Sequence, residues 1–338
     1  MNVQKLETLP PPPGVIGSLR AGFDAVSRHW KLILLPLVLD LWLWLGPRFS
    51  VDGLLSPYFK FLFNQARRGM ASPDDFQRIA GVQTSFMEAL ERFNLLSLLS
   101  KLLTFPIGIS SLLAESMPAA TPYGEQRVVQ VSSLPGLIIL VLLLILISWV
   151  GGGLYFRWVS GKALGVEEAG VSSGRAIAQT FLLSMIWFVS LLIVTVPVLF
   201  LFTILALINP LLANVAVFVM LVLCFWLIVP LFFTPHGIFV RRQNAFYSIF
   251  SSLRMARFTL PTSGMFVLSA FLLYRGLNYL WSVPPDTSWM MLVGIAGHAF
   301  ITTALLAASF VYYRDMNAWL QTVFERVQQK QTVPGRQV

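Results

Sequence analysis

The sequence predicts an all-α polytopic membrane protein: a bundle of six transmembrane helices, with amphipathic interfacial helices in a long outer loop. Its 338 residues are 56% hydrophobic and only 12% charged, with a mean hydropathy of +0.73, whereas soluble domains carry about 25% charged residues. The stretch from Ala176 to Val240 contains no charged residue. A span needs about 20 apolar residues, so this stretch holds two spans. Pro210 separates them, because proline cannot continue a helix.

The first 29 residues are predicted to form a cytoplasmic, proline-rich tail and lead-in. Four prolines, Pro10 to Pro13, interrupt it and favour an extended polyproline II segment. That segment is either a stiff solvated tail or a binding site for an SH3-like partner. The first transmembrane helix is expected at 30–47, although it contains Pro36 and Asp40.

Residues 48–133 are expected to form an extracytoplasmic loop. Apolar residues repeat there at helical spacing, which predicts two amphipathic helices on the membrane or capping the bundle. Their residues are Leu54, Leu55, Tyr58, Phe59, Leu62, Phe63 and then Phe76, Ile79, Phe86, Leu90, Phe93. The stretch 94–114 is long enough to span, but Lys101, Pro106 and several serines weaken it. It is predicted to be interfacial or re-entrant.

Five further transmembrane helices are predicted within 134–313, followed by a cytoplasmic tail at 314–338. Their ranges are 134–159, 179–208, 211–240, 264–284 and 290–313. Gly151 to Gly153 lie near the end of the first of these. They favour a close helix approach, with a hinge as the alternative.

The basic residues predict the orientation, with both termini cytoplasmic and the chain in the cell membrane. The short connections at 209–210 and 285–289 carry no lysine or arginine. The connections on the other side carry Arg157, Lys162, Arg175, Arg241, Arg242, Arg254 and Arg257. Short cytoplasmic loops are enriched in such residues. The net charge of +9 is therefore explained by topology, and no nucleic-acid partner is expected.

Three lead-ins of similar pattern precede the odd-numbered spans, at 18–37, 172–192 and 243–273. Each has a polar or basic start, then small and apolar residues at helical spacing. This pattern predicts three repeated hairpins.

The third lead-in also carries a resemblance to a known family. The run FFTPHGIFVRRQNAFYSIFSSLRMARFTLP (232–261) and the tail VYYRDMNAW (311–319) resemble the six-span membrane domain of membrane-anchored glycerophosphodiester phosphodiesterases. Related stand-alone bacterial membrane proteins of unassigned function share it. The resemblance implies an architecture for the C-terminal half and no activity, since the catalytic barrel has no counterpart here. The long loop at 48–133 departs from the family's short connection.

Ionisable residues inside the predicted spans are the first candidates for a site, because such groups are costly in a bilayer. Asp40 and Arg275 lie at similar depths, and His298 lies near mid-depth of the last span. We expect Asp40 to pair with Arg275, with Asn278, Tyr279 and His298 nearby. The site would be a polar cavity for a substrate or a proton relay. In the alternative, the pair fixes helix register or Arg275 extends to the interface.

A second candidate lies at the inner end of the span at 211–240. His236 precedes Arg241 and Arg242, and basic clusters just inside a span attract anionic lipid head groups. These residues are predicted to contact such a head group. The alternative is that they are topology markers.

No enzyme motif occurs in the sequence, and the three histidines and the single cysteine, Cys224, do not suggest a metal site. No catalytic residue and no cofactor are expected. The favoured function is a non-enzymatic accessory, scaffold or lipid-handling protein. The alternative is a transporter-like protein that moves a small or lipidic solute through Asp40, Arg275 and His298. The expected partners are membrane lipids, and a membrane protein or a second copy of the chain.

Overall fold

The computed structural model of the chain describes residues 11–68, 73–100, 105–165 and 170–332. The proline run is therefore described from Pro11 onward, and Lys101 lies outside the described residues. Eleven α-helices and four short strands occur in the described parts. The helices are α1 Val15–Arg28, α2 Leu34–Leu45, α3 Asp52–Arg68, α4 Pro73–Arg92, α5 Leu113–Ser116, α6 Leu134–Leu164, α7 Ser173–Ile208, α8 Pro210–Phe232, α9 Thr234–Arg241, α10 Ala245–Trp281 and α11 Met291–Thr332. The strands are β1 Arg48–Ser50, β2 Ala120–Thr121, β3 Gly124–Glu125 and β4 Val128–Gln130.

Five segments in the described part of the chain are long and apolar enough to cross a membrane. They are Leu134–Leu164, Ser173–Ile208, Leu211–Arg241, Ala245–Trp281 and Met291–Arg326. The predicted all-α, multi-pass membrane architecture is confirmed at this level. The chain divides into two compact units. The first unit comprises residues 1–30, 157–274 and 303–338, and the second comprises 31–156 and 275–302.

The predicted first span, 30–47, is not among these five. A short 3₁₀ turn, Trp30–Ile33, precedes α2, and α2 has only 12 residues. At 1.5 Å per residue, α2 is about 18 Å long. It ends where Gly46 and Pro47 stop the helix.

Two lead-ins are continuous with the spans that they precede. α7 begins at Ser173 and α10 at Ala245, and α10 continues through Pro261. The first lead-in differs, because α1 ends at Arg28 and is separate from α2. The three predicted repeats therefore do not share one helical pattern.

In the first unit, α7 and α8 form a hairpin that turns at Asn209. The Asn209 side chain accepts a hydrogen bond from the backbone N–H of Leu211 at 2.8 Å, and Pro210 occupies the first helical position, where proline needs no donor. The predicted break at this site is confirmed. The predicted span at 211–240 contains a second break at Phe233, between α8 and α9.

Aromatic rings form the core of the first unit. Phe266 stacks on Tyr312 with ring centroids 4.2 Å apart, and Phe233 stacks on the same tyrosine at 5.8 Å. Helix α1 packs directly on the backbone of α11, since a Cβ at Gly22 would lie 2.4 Å from the carbonyl oxygen of Ala304. Only glycine permits this approach.

In the second unit, the two amphipathic helices predicted from apolar spacing are present as α3 and α4. They pack through Phe59 and Phe86, whose ring centroids are 4.6 Å apart. Strand β1 pairs with β4 in parallel register, Arg48 opposite Val128, and β2 pairs with β3 in an antiparallel hairpin. This pairing holds the two ends of the region 48–130 together.

Candidate functional site

Asp40, in the middle of α2, accepts hydrogen bonds from residues 111–113. Its side chain is fully buried. The carboxylate accepts hydrogen bonds from the Ser111 hydroxyl and from the backbone N–H groups of Leu112 and Leu113, each at 3.1 Å. The Ser111 oxygen accepts in turn from the N–H of Ala114 at 3.0 Å. The carboxylate therefore caps the first turn of α5, where N–H groups have no helical partner.

Arg275, in α10, has a different partner from the one predicted. Its Nη1 lies 3.8 Å from Oε2 of Glu115, and the two side chains are 60% and 51% exposed. The predicted direct ion pair between Asp40 and Arg275 is therefore wrong. The segment that follows Pro106 brings its own hydrogen-bond donors to Asp40 and its own carboxylate to Arg275.

His298 joins α11 to α10 in the second unit. It is fully buried, and its Nδ1 lies 2.6 Å from Oδ1 of Asn278. The predicted proximity of these two residues is what the structure shows. Tyr279 is 80% exposed and lies outside this contact. The five residues of the predicted polar site thus fall into three separate contacts and one exposed ring.

The segment 95–113, of which the structure describes residues 95–100 and 105–113, contacts α6. The Ser148 hydroxyl donates to the carbonyl of Leu99 at 3.1 Å. A Cβ at Gly152 would lie 3.2 Å from the carbonyl oxygen of Ile107. These two α6 positions lie about 21 Å and 27 Å along the helix axis from Leu134. The glycines predicted to admit a neighbouring helix admit this segment instead.

The described parts of this segment form no helix long enough to span. A 3₁₀ turn occupies Leu95–Leu99, and no α-helix begins before α5 within residues 105–112. Ile107, Ile109 and Leu112 are buried. The stretch 94–114 was predicted to be interfacial or re-entrant, and its described residues form no helix that could make a seventh span.

The end of α2 is fixed to the connection between α10 and α11. The Trp44 indole N–H donates to the carbonyl of Asp286 at 2.7 Å, and its ring meets that of Trp289 edge-on at 5.8 Å. The Gln126 side-chain amide donates to the carbonyls of Leu43 at 2.8 Å and Trp44 at 2.7 Å. Burial raises the pKa of the Asp286 carboxyl group above its ordinary value.

His236, in the first unit, is a packing residue. It is only 2% exposed, its Nε2 lies 2.7 Å from the Ser309 hydroxyl, and its ring stacks on Phe232. The prediction that His236 contacts a lipid head group is wrong, because the side chain has almost no exposed surface. Arg241 and Arg242 are exposed, and Arg241 donates to Oδ1 of Asn317 at 3.2 Å.

The polar residues that sequence reasoning missed lie outside the predicted helices. Ser111, Glu115 and Gln126 each contact a predicted element from a region that has no helical periodicity. The cluster of serines in 94–114 was a signal for Ser111 alone. In the described residues, no group of three or more His, Cys, Asp or Glu side chains is placed to hold a metal ion.

Comparisons of the chain with protein-family models, with curated proteins and with solved structures found no match.

Proposed function

We propose that this chain is a non-enzymatic membrane protein, an accessory, scaffold or lipid-handling bundle of six spans with both termini in the cytoplasm. The observation that carries the proposal is the state of Asp40. Its carboxylate is fully buried and is used by the protein's own backbone. Three of the roughly four acceptor positions of the carboxylate are used by the protein itself, and the group is buried, so it stabilises the segment that it caps and is not open to a solute.

The sixth crossing is assigned to the 3₁₀ turn and α2 together. At about 2.0 Å per residue for the turn and 1.5 Å for the helix, residues 30–45 are about 26 Å long. The hydrocarbon core is about 30 Å thick, and a short span is accommodated by local thinning at modest cost. Trp30 and Trp44 stand near the two ends of this segment, where tryptophan suits the interface.

The contacts at the end of α2 support this direction of crossing. Trp44 lies against Asp286 and Trp289, in a connection without lysine or arginine. By the positive-inside rule that connection is extracytoplasmic. The N-terminal region carries Arg20, Arg28 and Lys31, which assigns it to the cytoplasm. The two assignments require a crossing between them.

The apolar surface of the α7–α8 hairpin supports a role in which lipids or other membrane helices are the partners. No residue in the most apolar 18-residue window of α7 is buried in the protein. Exposed side chains such as Leu191, Ile193 and Phe200 therefore face lipid, a membrane protein partner or a second copy of the chain. In the cell membrane, lipids or neighbouring membrane helices cover this apolar surface, and no soluble ligand is needed to cover it.

Thiol labelling of intact cells tests the topology. In a Cys224→Ser background, single cysteines replace Ile16 and Tyr123, which are 82% and 80% exposed. We expect a membrane-impermeant maleimide to label the variant at 123 on intact cells. The variant at 16 should react only after permeabilisation. Labelling of both on intact cells would contradict the six-span assignment.

One observation favours the transporter-like alternative. Irregular backbone at membrane depth occurs where it is buried in protein or lines a water-filled cavity, and broken elements form the binding sites of many transporters. The segment 95–113 is such an element. A cysteine in place of Ile107, which is fully buried, decides between the two. A small water-soluble methanethiosulfonate should leave it unmodified in a packed scaffold, whereas rapid modification would support a water-filled path.

A further inference from the structure

A small cavity in the first unit is lined by two arginines that form no ion pair with any residue that the structure describes. Its volume is about 70 Å³, and its lining includes Arg157, Ser160, Gly161, Gly170 and Arg242. The cavity is formed by the C-terminal end of α6, by residues just before α7, and by the C-terminal end of α9. All three places belong to the basic side of the chain identified from its sequence.

Two arginines donate hydrogen bonds to backbone carbonyls of residues that line the cavity; Arg157 itself lines the cavity, and Arg175 does not. The Arg157 Nε donates to the carbonyl of Val171 at 2.6 Å. The Arg175 Nη2 donates to the carbonyl of Arg242 at 2.5 Å. A guanidinium has five N–H donors, so each of these bonds leaves most of the donors for another acceptor. The bonds also reduce the side-chain entropy that a ligand would otherwise have to remove.

The charge of the cavity is not balanced within the described part of the chain. No ion pair there involves Arg157, Arg175 or Arg242. The backbone of Arg242 has φ of 54°, an uncommon conformation for a residue other than glycine that occurs in turns and at functional sites. The two arginines that line this small cavity, Arg157 and Arg242, form a site for an anion with several oxygens.

The size and the walls of the cavity suit a phosphate group. A cavity of about 10–15 Å³ is enough to hold one water, so about 70 Å³ has room for several waters or for a group of the size of a phosphate. Gly161 and Gly170 leave room because they have no side chain, and the Ser160 hydroxyl adds a polar group to the wall. Leu164 and Phe239 also line the cavity and provide an apolar edge that an acyl chain can follow.

We propose that this cavity binds the phosphate group of an anionic phospholipid from the cytoplasmic leaflet. Basic pockets between membrane helices on that side bind such head groups. The inference rests on the proposed orientation and adds a defined ligand class to it. Free inorganic phosphate has the same chemistry and is the other source of the group. A third occupant is internal, because Glu167 and Glu168 lie in the sequence between Leu164 and Gly170, outside the described residues.

The test uses the full chain, purified in a mild detergent and titrated with fluorescent phosphatidylglycerol or, for comparison, phosphatidylcholine. The double variant Arg157→Gln/Arg242→Gln removes two charges of the cavity. The matched control, Arg254→Gln/Arg257→Gln, removes two exposed arginines on the same side. At about a factor of five per arginine, we expect the cavity variant to bind phosphatidylglycerol roughly thirtyfold more weakly. The control should stay within about twofold of the original affinity.

The single variant Arg242→Gln keeps the test valid if loss of the Arg157 bond to Val171 disturbs folding. It should weaken phosphatidylglycerol binding about fivefold without changing the thermal transition of the protein. Equal losses in the cavity variant and the control would overturn the proposal in favour of a general basic surface. Unchanged binding in the cavity variant would also overturn it.

Two further arms separate the sources of the anion. If 10 mM inorganic phosphate displaces phosphatidylglycerol, the site recognises phosphate alone and the proposal of a lipid ligand is wrong. If Glu167→Gln/Glu168→Gln is needed before any lipid binds, the internal carboxylates are the occupant. Because these titrations are done in detergent, they do not depend on topology. Failure of lipid binding is thus distinguishable from failure of the six-span assignment.

Discussion

Replacing Asp40 tests directly how the irregular segment is held inside the protein. In Asp40→Ala, the backbone N–H groups of Leu112 and Leu113 and the Ser111 hydroxyl lose their acceptor. A buried donor left without a partner costs about 1–3 kcal/mol. We expect a loss of about 3–5 kcal/mol in the free energy of unfolding, less than the sum because neighbouring losses do not add.

Two matched variants identify the cause of that loss. Asp40→Asn keeps one carbonyl oxygen as an acceptor and should cost about 1–2 kcal/mol. Arg275→Gln removes the exposed ion pair with Glu115 and should cost less than about 0.5 kcal/mol, because solvent-exposed pairs contribute little. The three variants therefore have a defined order of stability.

The assay is equilibrium unfolding of the purified full chain from mild detergent into sodium dodecyl sulfate. Far-ultraviolet circular dichroism and the fluorescence of the 10 tryptophans follow the transition. If Arg275→Gln destabilises the protein as much as Asp40→Ala, the buried carboxylate depends on the arginine, and the capping explanation is refuted. The same conclusion would follow if Asp40→Ala left the transition unchanged.

Four other substitutions, one of them a control, test close packing and a buried contact. Gly22→Ala should lower the free energy of unfolding by about 2 kcal/mol or more, because its Cβ would lie 2.4 Å from the backbone of α11. The control is Gly17→Ala, whose Cβ would have no atom within 4 Å. It should leave the free energy of unfolding unchanged or raise it by up to about 1 kcal/mol. Gly152→Leu should cost about 1–3 kcal/mol and increase protease cleavage within 95–113, and unchanged cleavage would contradict the contact with α6. Asn278→Ala should cost about 1–3 kcal/mol by removing the acceptor at 2.6 Å from His298, measured by the same unfolding assay, and a neutral result would make that contact unimportant.

The membrane helices could be predicted from the sequence because their cause is local. Each of the five qualifying segments is a long apolar run, and a bilayer requires such a run to be helical. The turn at Asn209 and Pro210 was predictable for the same reason, since proline at a first helical position acts within one turn. The amphipathic helices α3 and α4 followed from apolar spacing alone.

The boundaries of α2 differ from those of the first predicted span, 30–47, for a local physical reason. Hydrophobicity predicted a transmembrane helix at residues 30–47. It did not determine that the helix would begin only at Leu34, after a 3₁₀ turn, or that Gly46 and Pro47 would end it. Local boundaries of this kind depend on the contacts that compete for the terminal backbone groups.

For the candidate site, the sequence predicted that two ionisable residues are buried, but it did not predict which residues they contact. Burial of Asp40 and His298 follows from their place in apolar segments. The hydrogen bond between His298 and Asn278 was not predicted as a pair. The donors to Asp40 lie 71, 72 and 73 positions away along the chain, in backbone without periodicity. No local rule connects such positions.

The sequence by itself determined that this chain has membrane helices and where five of those helices lie. It also determined on which side of the helices the basic connections lie. Tertiary structure alone decided that the Asp40 carboxylate caps a loop, that Gly152 faces that loop, and that two arginines share one cavity. The physical reason is the range of the interactions. Apolar length and helical spacing act between residues a few positions apart, whereas a hydrogen bond or a cavity wall depends on where the whole chain brings distant residues together.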